Sequence, residues 1–380
     1  MNLLRRLPLS RLLLLCATVI AVAGGATAIA LAIDSGPTPP PKPLAQALHD
    51  ALVAQKPDGV TARVQLTNHL LEGANLAGGG GGEASQLSSN PLISGASGRL
   101  WVAADGRARL ELQSEKGDTQ VLWDGKTAEM YDASTNTLYR YTPSSTEAAV
   151  ADADASGTSA DAGTGGSTAS KPEPPSASEI EEHITKASQH ADISGAASTD
   201  VAGQAAYTVR VSPRENGGLV AGAEVSWDAV HGNPLRAAIY STGSASPVIE
   251  LAATEISYSQ PDESALRFTP PADAKVQDVT LPQGSKESST SPEQTDKAHV
   301  TVHGKGLESI VLAETPVKAG SKESGLGALE GLQKVDVGGA QASELQTQLG
   351  TLLTFERAGV RYLMAGSVTP SAIEAFARGL

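Results

Sequence analysis

The sequence predicts a mainly β, α+β protein: a long antiparallel sheet with few helices, followed by a small C-terminal α+β unit. Three observations predict it. Apolar and polar residues alternate with period two over most of the chain after residue 59, as half-buried strands do. Asp-Gly and other glycine turns separate the runs at hairpin spacing. Beyond the amino-terminal segment, only three stretches carry helical spacing or helix-start signals.

At the amino end, Arg5, Arg6 and Arg11 precede an uncharged stretch from Leu12 to Ile33. As a helix at 1.5 Å per residue it is roughly 33 Å long, enough to cross a bilayer core. Cationic residues on one side only predict that the remainder is exported. Residues 1–34 are then a signal anchor through residues 12–33, or a signal peptide cut near Ala26-Thr27-Ala28 or Ala30-Leu31-Ala32. Cys16 follows Leu13-Leu14-Leu15 mid-stretch and reads as membrane filler. Residues 35–43 form a proline-rich spacer.

A main unit spans residues 44–282. Leu44, Ala47, Leu48, Ala51 and Leu52 share one helical face. Val60, Ala62, Val64 and Leu66 alternate as a strand, and a loop with Gly78 to Gly82 follows. A meander comes next: Arg99–Val102, Arg109–Leu112, Thr119–Trp123, Ala128–Tyr131 and Thr137–Tyr141. Its turns fall at Asp105-Gly106, Lys116-Gly117-Asp118, Asp124-Gly125 and Ser134-Thr135-Asn136. Residues 144–176 are low-complexity and lack a large aliphatic side chain after Val150, which predicts a disordered insertion. Ser178 and Glu181 read as a capping box that opens a helix running to about His190. Strands resume at Tyr207–Ser212, Ala223–Trp227, Leu235–Tyr240 and Val248–Tyr258, and Phe268-Thr269-Pro270-Pro271 closes the region.

Residues 283–297 form a polar linker, and residues 298–380 a small C-terminal α+β unit. Its strands are Val300–Val302, Ile310–Leu312, Thr351–Glu356 and Val360–Ala365. Its helix has Thr369 as N-cap, Pro370 at the first position, and Val368 stapled onto Ile373.

Composition removes several function classes. The chain has 380 residues, a net charge of −14 and one cysteine. Removing residues 1–34 deepens the charge to −16, against the basic face that nucleic-acid binding needs. One cysteine excludes an intrachain disulfide framework and a cysteine-rich zinc site.

Catalytic signatures are missing as well. Gly125-Lys126-Thr127 lacks the first glycine of a phosphate loop, which would fall at Gln120, and no helix follows. Gly95-Ala96-Ser97-Gly98 is one residue short of a nucleophile elbow. His299 and His303, four apart on a strand, lie roughly 13 Å apart, too far to share a metal. Glu179 and His183 on one helical turn read as a solvated pair, and His231-Gly232-Asn233-Pro234 as a turn. The expectation is a non-enzyme with no catalytic residue, no metal and no cofactor.

The order of these signals resembles the LolA-type outer-membrane lipoprotein carrier family and its relatives, including the N-terminal domain of RseB-type regulators. The residues that carry the likeness are Gly98, Leu100, Trp101 and Val102; the turn Trp123-Asp124-Gly125-Lys126; Trp227-Asp228 with Asn233-Pro234-Leu235; and the Phe-Thr-Pro-Pro close. The resemblance implies an unclosed antiparallel β-barrel over residues 44–282, whose concave apolar face is covered by helices and holds acyl chains. The chain departs from soluble carriers in three places. Ala103-Ala104-Asp105 stands where they have Arg-Pro, a spanning segment precedes the unit, and residues 298–380 resemble the second domain of RseB-type proteins.

The alternation phases point Leu100, Val102, Leu110, Leu112, Val121, Trp123, Met130, Val209, Val211, Val225 and Trp227 to one face, the expected ligand lining. The partners implied are lipid or lipoprotein acyl chains and, through the amino-terminal segment, a membrane. The alternatives are an RseB-like regulator that binds a membrane signalling protein, such as an anti-sigma factor, and a non-enzymatic envelope scaffold.

Overall fold

The computed structural model describes residues 36–72, 90–115, 117–143, 174–214, 218–279, 299–317 and 332–380. The expected membrane segment, the Gly78 to Gly82 loop, most of the 144–176 insertion and the 283–297 linker lie outside them. Among the described residues, no helix is long and apolar enough to cross a membrane.

Two sheets organise the described residues. The larger is built from β1 (Gly59–Asn68), β2 (Ala96–Ala103), β3 (Ala108–Ser114), β4 (Gly117–Trp123), β5 (Ala128–Asp132), β6 (Thr137–Tyr141), β7 (Ala191–Ile193), β8 (Ala197–Val201), β9 (Gln204–Pro213), β10 (Val220–Asp228), β11 (Pro234–Ser241), β12 (Pro247–Ser257) and β13 (Lys275–Asp278). The strand order is β13-β6-β5-β4-β3-β2-β1-β12-β11-β10-β9-β7, with β8 also on β9, and the path does not close. All pairs are antiparallel except β13 with β6. The pairing of β1 with β12 joins the two meanders in the middle of the sheet.

The smaller sheet has the order β14-β15-β19-β18-β17-β16. These are His299–His303 (β14), Ile310–Pro316 (β15), Gln333–Asp336 (β16), Gln341–Gln346 (β17), Thr351–Arg357 (β18) and Val360–Gly366 (β19). The chain is therefore mainly β, an open and largely antiparallel sheet with helices on it, plus a small α+β unit.

Among the described residues four α-helices accompany the sheets: α1 (Leu44–Val53), α2 (Pro91–Ser94), α3 (Ala177–Ala187) and α4 (Pro370–Arg378). The apolar face of α1 seats Leu44, Ala47, Leu48 and Ala51 on Tyr207, Val209, Val211 and Trp227. α2 caps β1, β3 and β4, placing Leu92 against Ala62, Val64, Leu66 and Leu112. α3 packs on α1, and His49 Nδ1 lies 2.9 Å from the Pro175 carbonyl at its start. α4 covers the smaller sheet through Ile373 and Ala377, with Val368 in the same core.

Several local expectations need correction. The capping box is Ser176 with Glu179, two residues earlier than Ser178 with Glu181. Both pairs fit the spacing, and the helix starts directly after Pro174-Pro175, leaving Ser176 as the first residue able to cap. Thr369 occupies the N-cap position of α4, but its hydroxyl caps no backbone N–H and lies 3.1 Å from the Ser371 hydroxyl. The β3–β4 turn is tighter than Lys116-Gly117-Asp118, because Gly117 and Asp118 already pair with Ser114 and Gln113. The proline-rich stretch docks on the sheet where it is described: Pro39 is buried and the Tyr207 hydroxyl donates to the Pro40 carbonyl at 2.6 Å.

Candidate ligand-binding face

Cross-strand partners share a face, so the registers trace one face across the larger sheet. Val60, Ala62, Val64 and Leu66 of β1 pair with Val102, Leu100, Gly98 and Ala96 of β2. Leu100 and Gly98 pair with Leu110 and Leu112 of β3, and Leu110 pairs with Val121 of β4. Val121 pairs with Met130, and Trp123 of the same phase with Ala128. In the other direction Leu66 pairs with Leu251, Leu251 with Ala237, Ala237 with Val225, and Val225 with Val209. Val211 and Trp227 follow in phase. The register thus carries all eleven expected lining residues on one face, the face on which α1 and α2 lie.

Helix cover divides this inner face. Val209, Val211 and Trp227 are buried, with Val225 beside them, in the cluster under α1. Leu112, 1% exposed, is buried under α2. Leu100, Val102, Leu110, Val121, Trp123 and Met130 are only half-buried, on strands that no described helix other than α2 covers. Tyr139 and Tyr141 of β6 extend that apolar strip, because Met130 pairs with Tyr139 and Ala128 with Tyr141. Sequence reading missed both, although their period-two phase with Thr137 was the signal that could have placed them.

The opposite, outer face is polar where it is open. Arg236 donates to Glu250, Glu224 and the Tyr240 hydroxyl at 2.5–3.0 Å, and Tyr240 donates to Glu224 at 2.7 Å. Burial opposes the Arg236 charge, but these acceptors outweigh it and hold the guanidinium above its ordinary range. Across β3–β5 the outer face is covered by the closing segment. Phe268 meets the Tyr131 ring at 5.1 Å, and Arg109 donates to the Ala265 and Arg267 carbonyls. The inner strip of β2–β6 is therefore the apolar surface of this sheet that the described helices leave open.

The turns that frame the strip are set by hydrogen bonds to carboxylates. Asp124 accepts from the Thr127 and Lys126 backbone N–H groups at 2.7 and 2.8 Å, which hold its carboxyl below the usual range. Gly125 supplies the positive φ of +95° that the Asp-Gly turn needs. Lys126 accordingly sits in a hairpin turn. Among the described residues no three His, Cys, Asp or Glu side chains gather as a metal site.

No protein-family model matches the chain, and no curated protein matches it. Solved structures align with the chain at low identity and low TM-score. The MucA/MucB complex of Pseudomonas aeruginosa aligns over 88% of this chain and 94% of that one, at 16% identity and a TM-score of 0.42. A LolA superfamily protein from Nitrosomonas europaea aligns over 87% and 97%, at 6% identity and a TM-score of 0.19. A putative outer membrane lipoprotein-sorting protein domain from Vibrio parahaemolyticus aligns over 86% and 90%, at 10% identity and a TM-score of 0.21.

Proposed function

We propose that the chain is an extracytoplasmic, non-enzymatic binding protein that holds acyl chains of a lipid or lipoprotein on the inner face of β2–β6. One observation carries this reading: Leu100, Val102, Leu110, Val121, Trp123 and Met130 form a continuous half-buried apolar strip beside faces that helices have sealed. An acyl chain laid there gains about 0.8 kcal/mol per methylene removed from water. Residues 1–34 export the protein and, if uncleaved, tether it to the membrane.

The test is mass spectrometry of material extracted from the purified exported chain, together with titration of a fluorescent fatty acid. Bound acyl lipid is expected. Val121→Asp, placing a charge between Leu110 and Met130, is expected to weaken probe binding at least about tenfold with the circular dichroism unchanged. A lipid-free protein that ignores the probe, or a variant that binds it as wild type does, sinks the reading.

A second reading, a regulator that grips a membrane signalling protein through residues 298–380, is favoured by a separate observation. Val300, Val302 and Val311 are 59%, 53% and 42% exposed, at the β14 edge of the smaller sheet. Crosslinking that captures one membrane protein only when residues 298–380 are present would favour it over the carrier reading.

A further inference from the structure

The outer face holds a feature that acyl binding does not use. A cavity of about 250 Å³ opens between β12, β1 and β2, lined by Thr61, Arg63, Arg99, Trp101, Glu255 and Ser257 among others. Register sets its contents. Arg63 stands directly opposite Arg99 on one side and Glu255 on the other, while Thr61 stands between Trp101 and Ser257. Two like charges directly opposite on one sheet face destabilise the pair.

Only one of the two arginines is compensated. Arg63 pairs with Glu255 at 3.0 Å. Arg99 faces Glu111 across β3, but that carboxylate already accepts from Arg109 at 3.0 Å and Gln113 at 2.9 Å. No carboxylate among the described residues pairs with Arg99. Acids are not scarce: the chain has 42 of them against 28 lysines and arginines, so the uncompensated charge stands out. Arg109 in turn lies 5.4 Å over the Trp101 ring and 5.8 Å over Phe268, which holds the indole as a fixed wall.

We propose that this cavity docks an acidic peptide segment of a partner protein, with a carboxylate between Arg63 and Arg99 and an adjoining apolar side chain against Trp101. Charge complementarity selects that occupant. The Arg63 side chain is 60% exposed, so a lone small anion gains little there. An anionic membrane surface attracts each exposed arginine only weakly. It also meets a protein of net charge −14. A peptide adds the aromatic contact and fixes the carboxylate, and Thr61 and Ser257 supply hydroxyl donors at the same site. The site lies on the face opposite the apolar strip, so docking and acyl binding do not compete for surface.

Fluorescence anisotropy on the full chain, with a short dansylated peptide of alternating glutamate and leucine, tests this. The glutamate peptide is expected to bind and to weaken as salt rises. Its glutamine counterpart is expected not to bind. Arg99→Gln is expected to weaken binding at least about tenfold, and Glu255→Gln to strengthen it by freeing Arg63. Both altered side chains lie at the surface, and circular dichroism checks that the variants fold. Wild-type binding by Arg99→Gln, or equal binding of the glutamine peptide, overturns the proposal. So does an Arg99→Gln variant that loses binding to phosphatidylglycerol vesicles while keeping the peptide.

Discussion

Gly98 shows how a single residue shapes the inner face. It lies on β2 between Val64 and Leu112, where the β3 backbone comes unusually close. A Cβ there would stand 1.8 Å from the Glu111 carbonyl oxygen and 2.9 Å from its carbon, so no side-chain movement can make room. Leu100 and Leu110, the next pair along, inherit their spacing from this approach. Gly98→Ala is therefore expected to push β2 and β3 apart and to cost about 1–3 kcal/mol, towards the upper end because backbone must shift. Urea unfolding measures it, and an unchanged midpoint would contradict the close approach.

At the scale of elements, the contact of β17 with α4 carries a pH-dependent term. Glu344 projects from the core face of β17, opposite Leu353, and is 6% exposed. Burial, reinforced by the nearby Glu374 carboxylate of α4, raises its pKa above the ordinary 4.5. A raised folded-state pKa means the protonated form favours the fold. This contribution is complete below about pH 4.5 and is lost as pH rises through the folded value. Asp50 and Asp124 act in the opposite sense. Lys42 and turn N–H groups respectively hold them below 3.8, so their stabilisation is lost only as pH falls through that depressed range. Glu344→Gln is expected to raise the melting temperature at neutral pH and to leave it nearly unchanged near pH 4. A variant whose pH profile parallels that of the wild type would refute it. The same glutamate explains why β17 escaped sequence reading: a charged residue on the core face disguises the alternation of Ala342 and Glu344. β7 and β8 were missed because they are short and poor in large apolar residues, and β13 because it is exposed throughout. The meander was legible because its alternation survives from Leu100 to Tyr141. The cover of β9 and β10 by α1 was not, since it joins residues about 160 positions apart that no local pattern connects.

For the whole molecule, the decisive contact is where the two sheets meet, and it is made of backbone. The Leu219 N–H donates to the Ser367 carbonyl at 3.1 Å and approaches its hydroxyl at 3.3 Å. The Gln348 N–H donates to the Leu70 carbonyl at 3.2 Å. Gly218 makes the first of these possible twice over: its φ is +65°, and a Cβ would lie 1.6 Å from the Ser367 carbonyl oxygen. Alanine there takes on left-handed strain of about 1–3 kcal/mol. It also forces Ser367 away, with the loss of hydrogen bonds worth about 0.5–1.5 kcal/mol each. Each sheet has its own apolar cluster, one around Leu353, Met364 and Ile373 and others around Leu112 and Trp227, so either can persist once the contact opens. Gly218→Ala is expected to split calorimetric unfolding into two transitions where the wild type shows one. The fatty-acid probe should then raise only the transition of the larger sheet, because a ligand stabilises only the unit that binds it. If the variant still melts as one unit, the junction through Gly218 does not couple the sheets. If the probe raises both transitions equally, the acyl site is not confined to the inner face of β2–β6.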